Sequence, residues 1–239
     1  MDLNLPSNVV LEEERDSVGS GVLDSDVYLG VVELVYLDAS ASGAISVNIS
    51  FKTNNRTVRQ TVYISNRKGE FVYRNKDKKD LPLPGYAQMD AFFTAVTGKG
   101  LSSQSLEEKV INIYNYDLKK EIPQTRKVFM DILNKPIAAG ILKISEERTT
   151  KESNYTVGTG EYRNLNEFNK WFDAETGLTN VEKKAGETEA KVLENWKKAN
   201  TGNEVIRNAA TRDTSKAGAP TSSNSANKKP TESLFATKP

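Results

Sequence analysis

A mainly β domain with a few helices, of the α+β class, is predicted for this 239-residue chain, and three observations predict it. Valine, isoleucine and aromatic residues alternate with polar ones at a period of two between positions 45 and 64. One helical pattern interrupts the strand patterns, over 86–96. Hydrophobic residues make up only 37% of the chain, below the roughly 45–50% of ordinary globular domains, so part of it stays outside a packed core.

The first strand covers residues 28–37, rich in valine and leucine, and Ser40 to Gly43 supply a turn. In the second, Ile45, Val47, Ile49 and Phe51 share one face and Ser46, Asn48, Ser50 and Lys52 the other, as in a sheet with one dry and one wet side. After a turn at Asn54 and Asn55, a third strand turns Val58, Val62 and Ile64 inward, with Gln60 in the same register, and Arg59, Thr61 and Tyr63 outward. Residues 66–85 are basic and broken by Pro82, Pro84 and Gly85, which predicts a long hairpin or loop. Met89, Phe92, Phe93 and Val96 recur at helical spacing, with Gly98 as the cap.

A strand over 109–117, a short helix over 123–133 stopped before Pro136 and a strand over 137–144 follow. A polar hairpin over 146–160 then leads to the aromatic cluster of Phe168, Trp171 and Phe172. Residues 187–199 form an amphipathic helix that presents Ala190, Leu193 and Trp196 to the domain. Beyond 201 the composition shifts to Ala, Ser, Thr, Asn, Gly and Pro, which bury too little surface to offset conformational entropy, so 201–239 is expected to be a disordered tail.

Cysteine and histidine are both absent. That removes disulfides, thiol catalysis, the commonest general base and the commonest zinc ligand. Gly98-Lys99-Gly100 and Gly158-Thr159-Gly160 lack the remainder of a phosphate-binding loop. The expectation is a non-enzymatic protein with no catalytic residue, metal or cofactor. No apolar run approaches the roughly 20 residues of a membrane span, and the first residues are acidic rather than basic, so a cytoplasmic location without a membrane partner is expected.

A net charge of +1 conceals two opposed blocks. Between Glu12 and Asp38 eight acidic residues face one basic residue, and between Lys52 and Lys79 nine basic residues face two acidic ones. Three regions follow: an acidic leader over 1–26, a domain over 27–200 and the tail. The leader reads either as solvated coil or as a strip that competes electrostatically for the basic face.

About five short strands with one helix after the third match the outline of an OB-fold, a partly open barrel whose strand face and loops bind oligonucleotides. Holding single strands without reading sequence requires cations along the phosphates and flat side chains for unstacked bases. Arg59 and Tyr63 on one strand face, with Phe71, Tyr73 and Arg74 past the next turn, supply both. Lys52, Arg56, Arg67 and Lys68, then Lys76, Lys78 and Lys79, add phosphate contacts. The competing explanation, that lysines guard an exposed sheet edge, accounts for the charge but not for the interleaved aromatics.

The runs Tyr28-Leu29-Gly30-Val31-Val32-Glu33, Ser42-Gly43-Ala44, Thr61-Val62-Tyr63-Ile64-Ser65-Asn66 with Gly69, and Leu83-Pro84-Gly85-Tyr86 resemble the single-stranded DNA-binding proteins of short-tailed bacteriophages, in the group that carries a virion RNA polymerase. The resemblance covers about residues 25–200. It implies a protein that coats single-stranded DNA in phage replication and recombination inside a bacterial host. It also implies a C-terminus that contacts replication proteins or activates the host RNA polymerase, with Phe235 and Lys238 as contact residues. Unlike the better-known bacterial pattern, the tail here is not acidic. RNA would fit the same surface. A phage structural or interaction protein, whose basic hairpin docks an acidic protein partner, is the alternative from another functional class.

Overall fold

The computed structural model describes residues 21–54, 56–115, 118–152, 155–209 and 212–213. In chain order the elements are β1 (Asp26–Ala39), β2 (Ile45–Thr53), β3 (Arg56–Tyr63), β4 (Val72–Arg74), β5 (Asp80–Pro82), α1 (Pro84–Thr97), β6 (Leu106–Asn115), β7 (Lys120–Phe129), β8 (Pro136–Glu152), β9 (Tyr155–Phe172), α2 (Asn180–Ala185), α3 (Lys191–Asn200), β10 (Glu204–Arg207) and β11 (Arg212–Asp213). The expected class holds: a mainly β protein with a few helices, whose sheet curls into a partly open barrel.

β1 organises the sheet. On one edge it pairs antiparallel with β2 from Val31 to Ala39. On the other it meets β8 from Asp26 to Val31 and β7 at Tyr36 and Leu37. The register shifts between Val32 and Leu34, so Glu33 is the extra residue of a bulge. Such a bulge bends a strand and increases its twist, which lets one long strand serve two differently directed partners. The order β9, β8, β1, β2, β3 then brings the two ends of the sheet around toward each other.

Across the seam between β3 and β9, the Phe168 amide donates to the Gln60 side-chain oxygen at 2.7 Å. This explains Gln60, the polar residue between Val58 and Val62 in the inward register of β3. The seam is further filled by residues 21–23, because Leu23 exchanges two hydrogen bonds of 2.8 Å with the Asn166 amide and the Arg56 guanidinium donates to the Gly21 carbonyl.

α1 closes one end of the barrel. Its Met89, Phe92 and Phe93 are fully buried, with Phe92 4.5 Å from the Trp171 ring and Phe93 4.5 Å from Phe129. Burying each such side chain contributes about 1.5–3 kcal/mol. The helix starts with Pro84 in its first turn and ends at Gly98 in the left-handed conformation, the pairing of residues that favours a clean start and stop. A second cluster forms where α3 docks on β8 and β9, around Trp196, Phe172, Leu142 and Ile144. There the Trp196 indole lies on Gly140, where a Cβ would come within 2.9 Å of the ring.

Four sequence expectations change. Residues 120–129 form strand β7 instead of the first part of a helix, paired along their whole length with β6. Pro123 is tolerated because β7 meets β1 only at residues 127 and 128, so the missing N–H falls where the hairpin is a free two-stranded ribbon. The helix expected over 187–199 begins at Lys191, and a short α2 precedes it, capped by a reciprocal pair between Thr179 and Glu182.

Strand structure also runs past the boundary placed at 201, since β10 adds in parallel to β8 from Glu204 to Arg207 and packs Val205 on the second cluster. Finally, residues 21–26, assigned to the acidic leader, belong to the fold. Ser25 is buried, accepts from the Lys143 amide at 2.8 Å and donates to the Asn203 carbonyl. The rest of the leader, residues 1–20, and residues 214–239 with Phe235 and Lys238 lie outside the described residues.

Candidate nucleic-acid interface

The outward face of β3 is set by its pairing with β2, which aligns Arg59 with Ser50, Thr61 with Asn48 and Tyr63 with Ser46. As the alternation predicted, Arg59, Thr61 and Tyr63 are exposed while Val58 and Val62 are buried. Tyr63 is 54% exposed. On the neighbouring strand Ser46 and Ser50, expected on its wet face, are buried, covered by the longer side chains of the flanking strands, Arg59, Thr61 and Tyr63 on one side and Leu34, Tyr36 and Asp38 on the other, with Thr61 donating to the Asn48 side chain. Lys52 continues the β2 row at one end, exposed, and Arg56 begins β3 opposite Thr53.

The same face runs on across β1 into β7 and β6. Asp38 pairs with the Arg126 guanidinium at 3.3 Å, and Arg126 lies opposite Lys109. This continuation, in which Lys109 pairs with Glu107 at 2.8 Å, was missed at the sequence level because Arg126 was assigned to a helix, and the covering of serines 46 and 50 was missed because it depends on β1 and β3 flanking them.

Beyond β3, two turns of one design carry most of the remaining cations. In the first, Asn66 accepts from the amides of Lys68 and Glu70 at 2.9 and 3.0 Å, Asn66 and Glu70 close a backbone bond, and Gly69 takes φ +79°. In the second, Asn75 accepts from the Lys79 amide at 2.9 Å, a backbone bond again closes the loop, and Lys78 takes φ +60°. Asparagine side chains that bond their own backbone rigidify such turns. Arg67 and Lys68 are thereby held at one tip and Lys76, Lys78 and Lys79 at the other, all exposed.

The hairpin of β4 and β5 lies between these turns and α1. Tyr73 pairs with Leu81 and is 43% exposed, and Arg74 pairs with Asp80 on the opposite face of the ribbon. Phe71 is 40% exposed but leans on Tyr86 with ring centroids 5.6 Å apart. Arg74 makes a 3.1 Å ion pair with Asp80. The hairpin base is tied to the end of β3 through α1, because Gly85 sits so close that a Cβ would come within 2.0 Å of the Tyr63 carbonyl oxygen.

All twelve candidate contact residues, from Lys52 to Lys79, are exposed. They differ in what holds them. Arg74 has its partner inside the hairpin, Phe71 leans on Tyr86 of α1, and Arg56 holds the segment before β1. Tyr63 and Tyr73 have no aromatic ring against them among the described residues. Tyr73 and Arg74, expected to act together, point to opposite sides of the ribbon.

Among the described residues no cluster of three or more carboxylates is arranged to hold a metal ion, and no helix is long and apolar enough to cross a membrane. No family model matches the chain, and no curated protein matches it.

Proposed function

We propose that this chain binds single-stranded DNA without reading its sequence, coating it through the outward face of β2 and β3 and the β4–β5 hairpin. The observation that carries this reading is the exposure of Tyr63 and Tyr73 among exposed cations that a sheet and two asparagine-braced turns hold in place. Edge protection alone requires the cations and not the rings. Unstacked bases use both, with each base on an aromatic ring contributing roughly 1–3 kcal/mol.

RNA would satisfy the same chemistry, and the resemblance to phage proteins favours DNA. The same resemblance supports a role in phage replication and recombination, with Phe235 and Lys238 in the tail as contacts for replication proteins or host RNA polymerase. No catalytic step is assigned to the chain.

Titration of a labelled oligo-dT with the protein and with Tyr63→Ala and Tyr73→Ala, over a range of salt, tests the reading. Binding should weaken with salt at a log-log slope of about −0.7 per phosphate contact, and each variant should lose roughly five- to a hundredfold in affinity with that slope unchanged. A protein that binds no oligonucleotide at low salt refutes the reading and leaves an acidic protein as the partner of the hairpin.

A further inference from the structure

The β6–β7 ribbon leaves the sheet with little to hold it. Its two strands run in continuous register from the pair Leu106 and Phe129 out to Asn115 and Lys120, yet β7 meets β1 only at Lys127 and Val128. A two-stranded hairpin alone is marginally stable in water, and a third strand or a packed face is what stabilises it. Neither side of this ribbon is polar throughout. Leu106, Val110 and Tyr114 stand on one side, 40%, 70% and 47% exposed, and Ile111, Ile113 and Ile122 stand on the other.

The two edges of the ribbon differ. β7 carries Pro123, which has no N–H to donate, and charges at Lys120, Glu121, Arg126 and Lys127, the devices that guard a strand edge against pairing. β6 has no proline, keeps its register without a bulge, and bears no charge from Val110 to Asn115. Among the described residues it pairs with β7 alone. Its outer edge therefore offers a row of N–H and C=O groups to another strand.

We infer that β6 joins a second copy of this chain, edge to edge and antiparallel, about a two-fold axis at Val110. Identical antiparallel strands in one sheet are related by an axis perpendicular to that sheet, so opposed residues share a face and the axis passes through one residue. With the axis at Val110 the exposed apolar row meets itself: Val110 faces the second copy's Val110, and Leu106 faces its Tyr114. Glu108 then faces Asn112, Lys109 faces Ile111, and no like charges are opposed. Neighbouring registers lose this match. An axis at Lys109 sets that lysine against itself, and an axis at Ile111 sets Val110 against Asn112 and Tyr114 against Glu108. The order of residues along β6 thus selects a second copy as the occupant and fixes its register. Two marginal ribbons become one four-stranded sheet, and the perpendicular axis leaves Arg126 of both copies on the same side of it.

Two measurements on the full chain decide the matter, both without nucleic acid, so their failure leaves the single-strand reading untouched. A single strand edge buries less than the roughly 1,200 Å² of a standard interface, so sedimentation equilibrium should show a dimer with a Kd in the micromolar range. Val110→Lys opposes like charges on the axis and should raise that Kd roughly tenfold. Because Val110 is exposed, its far-UV circular dichroism should match the parent's. A parent chain still monomeric at about 100 µM, or a dimer indifferent to Val110→Lys, overturns the inference. The second measurement reads the register. The chain has no cysteine, so Val110→Cys sets two thiols directly opposite, within the Cα separation of about 4.4–6.8 Å that a disulfide spans, whereas Asn112→Cys holds them about 14 Å apart. Mild oxidation should link the Val110→Cys dimer at least tenfold faster than the Asn112→Cys dimer. Equal rates overturn the register and with it the axis at Val110.

Discussion

Gly140→Ala isolates the docking of α3 in a single methyl group. A Cβ at position 140 would lie 2.9 Å from Cε2 and 3.0 Å from Cζ2 of Trp196, well inside the roughly 3.5–4.0 Å of a comfortable carbon contact. The indole has little freedom to yield, because its N–H donates to the Asn169 side chain at 2.7 Å and its ring packs with Leu142 and Phe172. Overpacking of this kind costs about 1–3 kcal/mol. The same substitution restricts the unfolded chain and so returns about 0.4–1 kcal/mol. The net expectation is a loss of about 1–2 kcal/mol, read from urea unfolding. In a Trp196→Leu background the obstacle is gone, and Gly140→Ala should become neutral or slightly stabilising. Equal destabilisation in both backgrounds would show that the indole is not what Gly140 accommodates, and the docking geometry would be wrong.

Three further substitutions test other joints. Glu182→Gln should destabilise the protein by about 1.5–3 kcal/mol, the range for hydrogen bonds to a charged group. The buried Glu182 carboxylate accepts from the Thr179 amide and hydroxyl and from the Val192 amide, tying α2 to α3. Burial works against the charge at Glu182, yet the bonds from Thr179 and Val192 prevail and hold its carboxyl below the ordinary range. The stabilisation is therefore full above the unfolded pKa and is lost as pH falls through the lower folded value, so the gap between the melting curves of parent and variant should close on acidification. Lys78→Gly relieves a left-handed backbone at φ +60°, and should slow amide exchange at Tyr73 and Leu81 by stabilising the turn by roughly 1 kcal/mol. Its salt slope for oligo-dT should fall by about 0.7 if Lys78 meets a phosphate. Gln60→Leu removes the acceptor of the Phe168 amide at the seam and should cost about 1–3 kcal/mol in urea unfolding, while a change under a few tenths would mean water replaces the side chain.

How much of this was legible in the sequence depends on where each residue finds its partners. β2 and β3 were readable because one face of each is dry, and alternation alone then separates Val58 and Val62 from Arg59 and Tyr63. α1 was readable because its apolar residues, its proline and its terminal glycine agree. β7 was not, because Ile122, Gln124, Arg126 and Val128 alternate only weakly in polarity and Pro123 reads as a helix start. Pairing with β6 decides that segment, and no local signal reveals it. β10 was hidden in tail-like composition for the same reason, since four residues gain their order from β8. At the candidate site, the sequence supplied the exposed cations and rings. It did not show that Arg74 is held by Asp80 or that Phe71 rests on Tyr86, because both contacts depend on how the hairpin folds back.

The β6–β7 ribbon overhangs β1 from Lys127 out to Lys120 and Asn115, a length of about 24 Å at 3.4 Å per residue. Side chains on such a ribbon change sides at every residue, so its length can change without disturbing its two faces only by two residues per strand at a time. Each such step would move the tip by about 7 Å and leave Arg126 beside Asp38. A single-residue insertion near the root would instead turn Arg126 and Lys109 to the opposite side. Relatives of this chain should therefore show ribbons whose lengths differ in paired increments, with the root between Arg126 and Phe129 kept in step with β1.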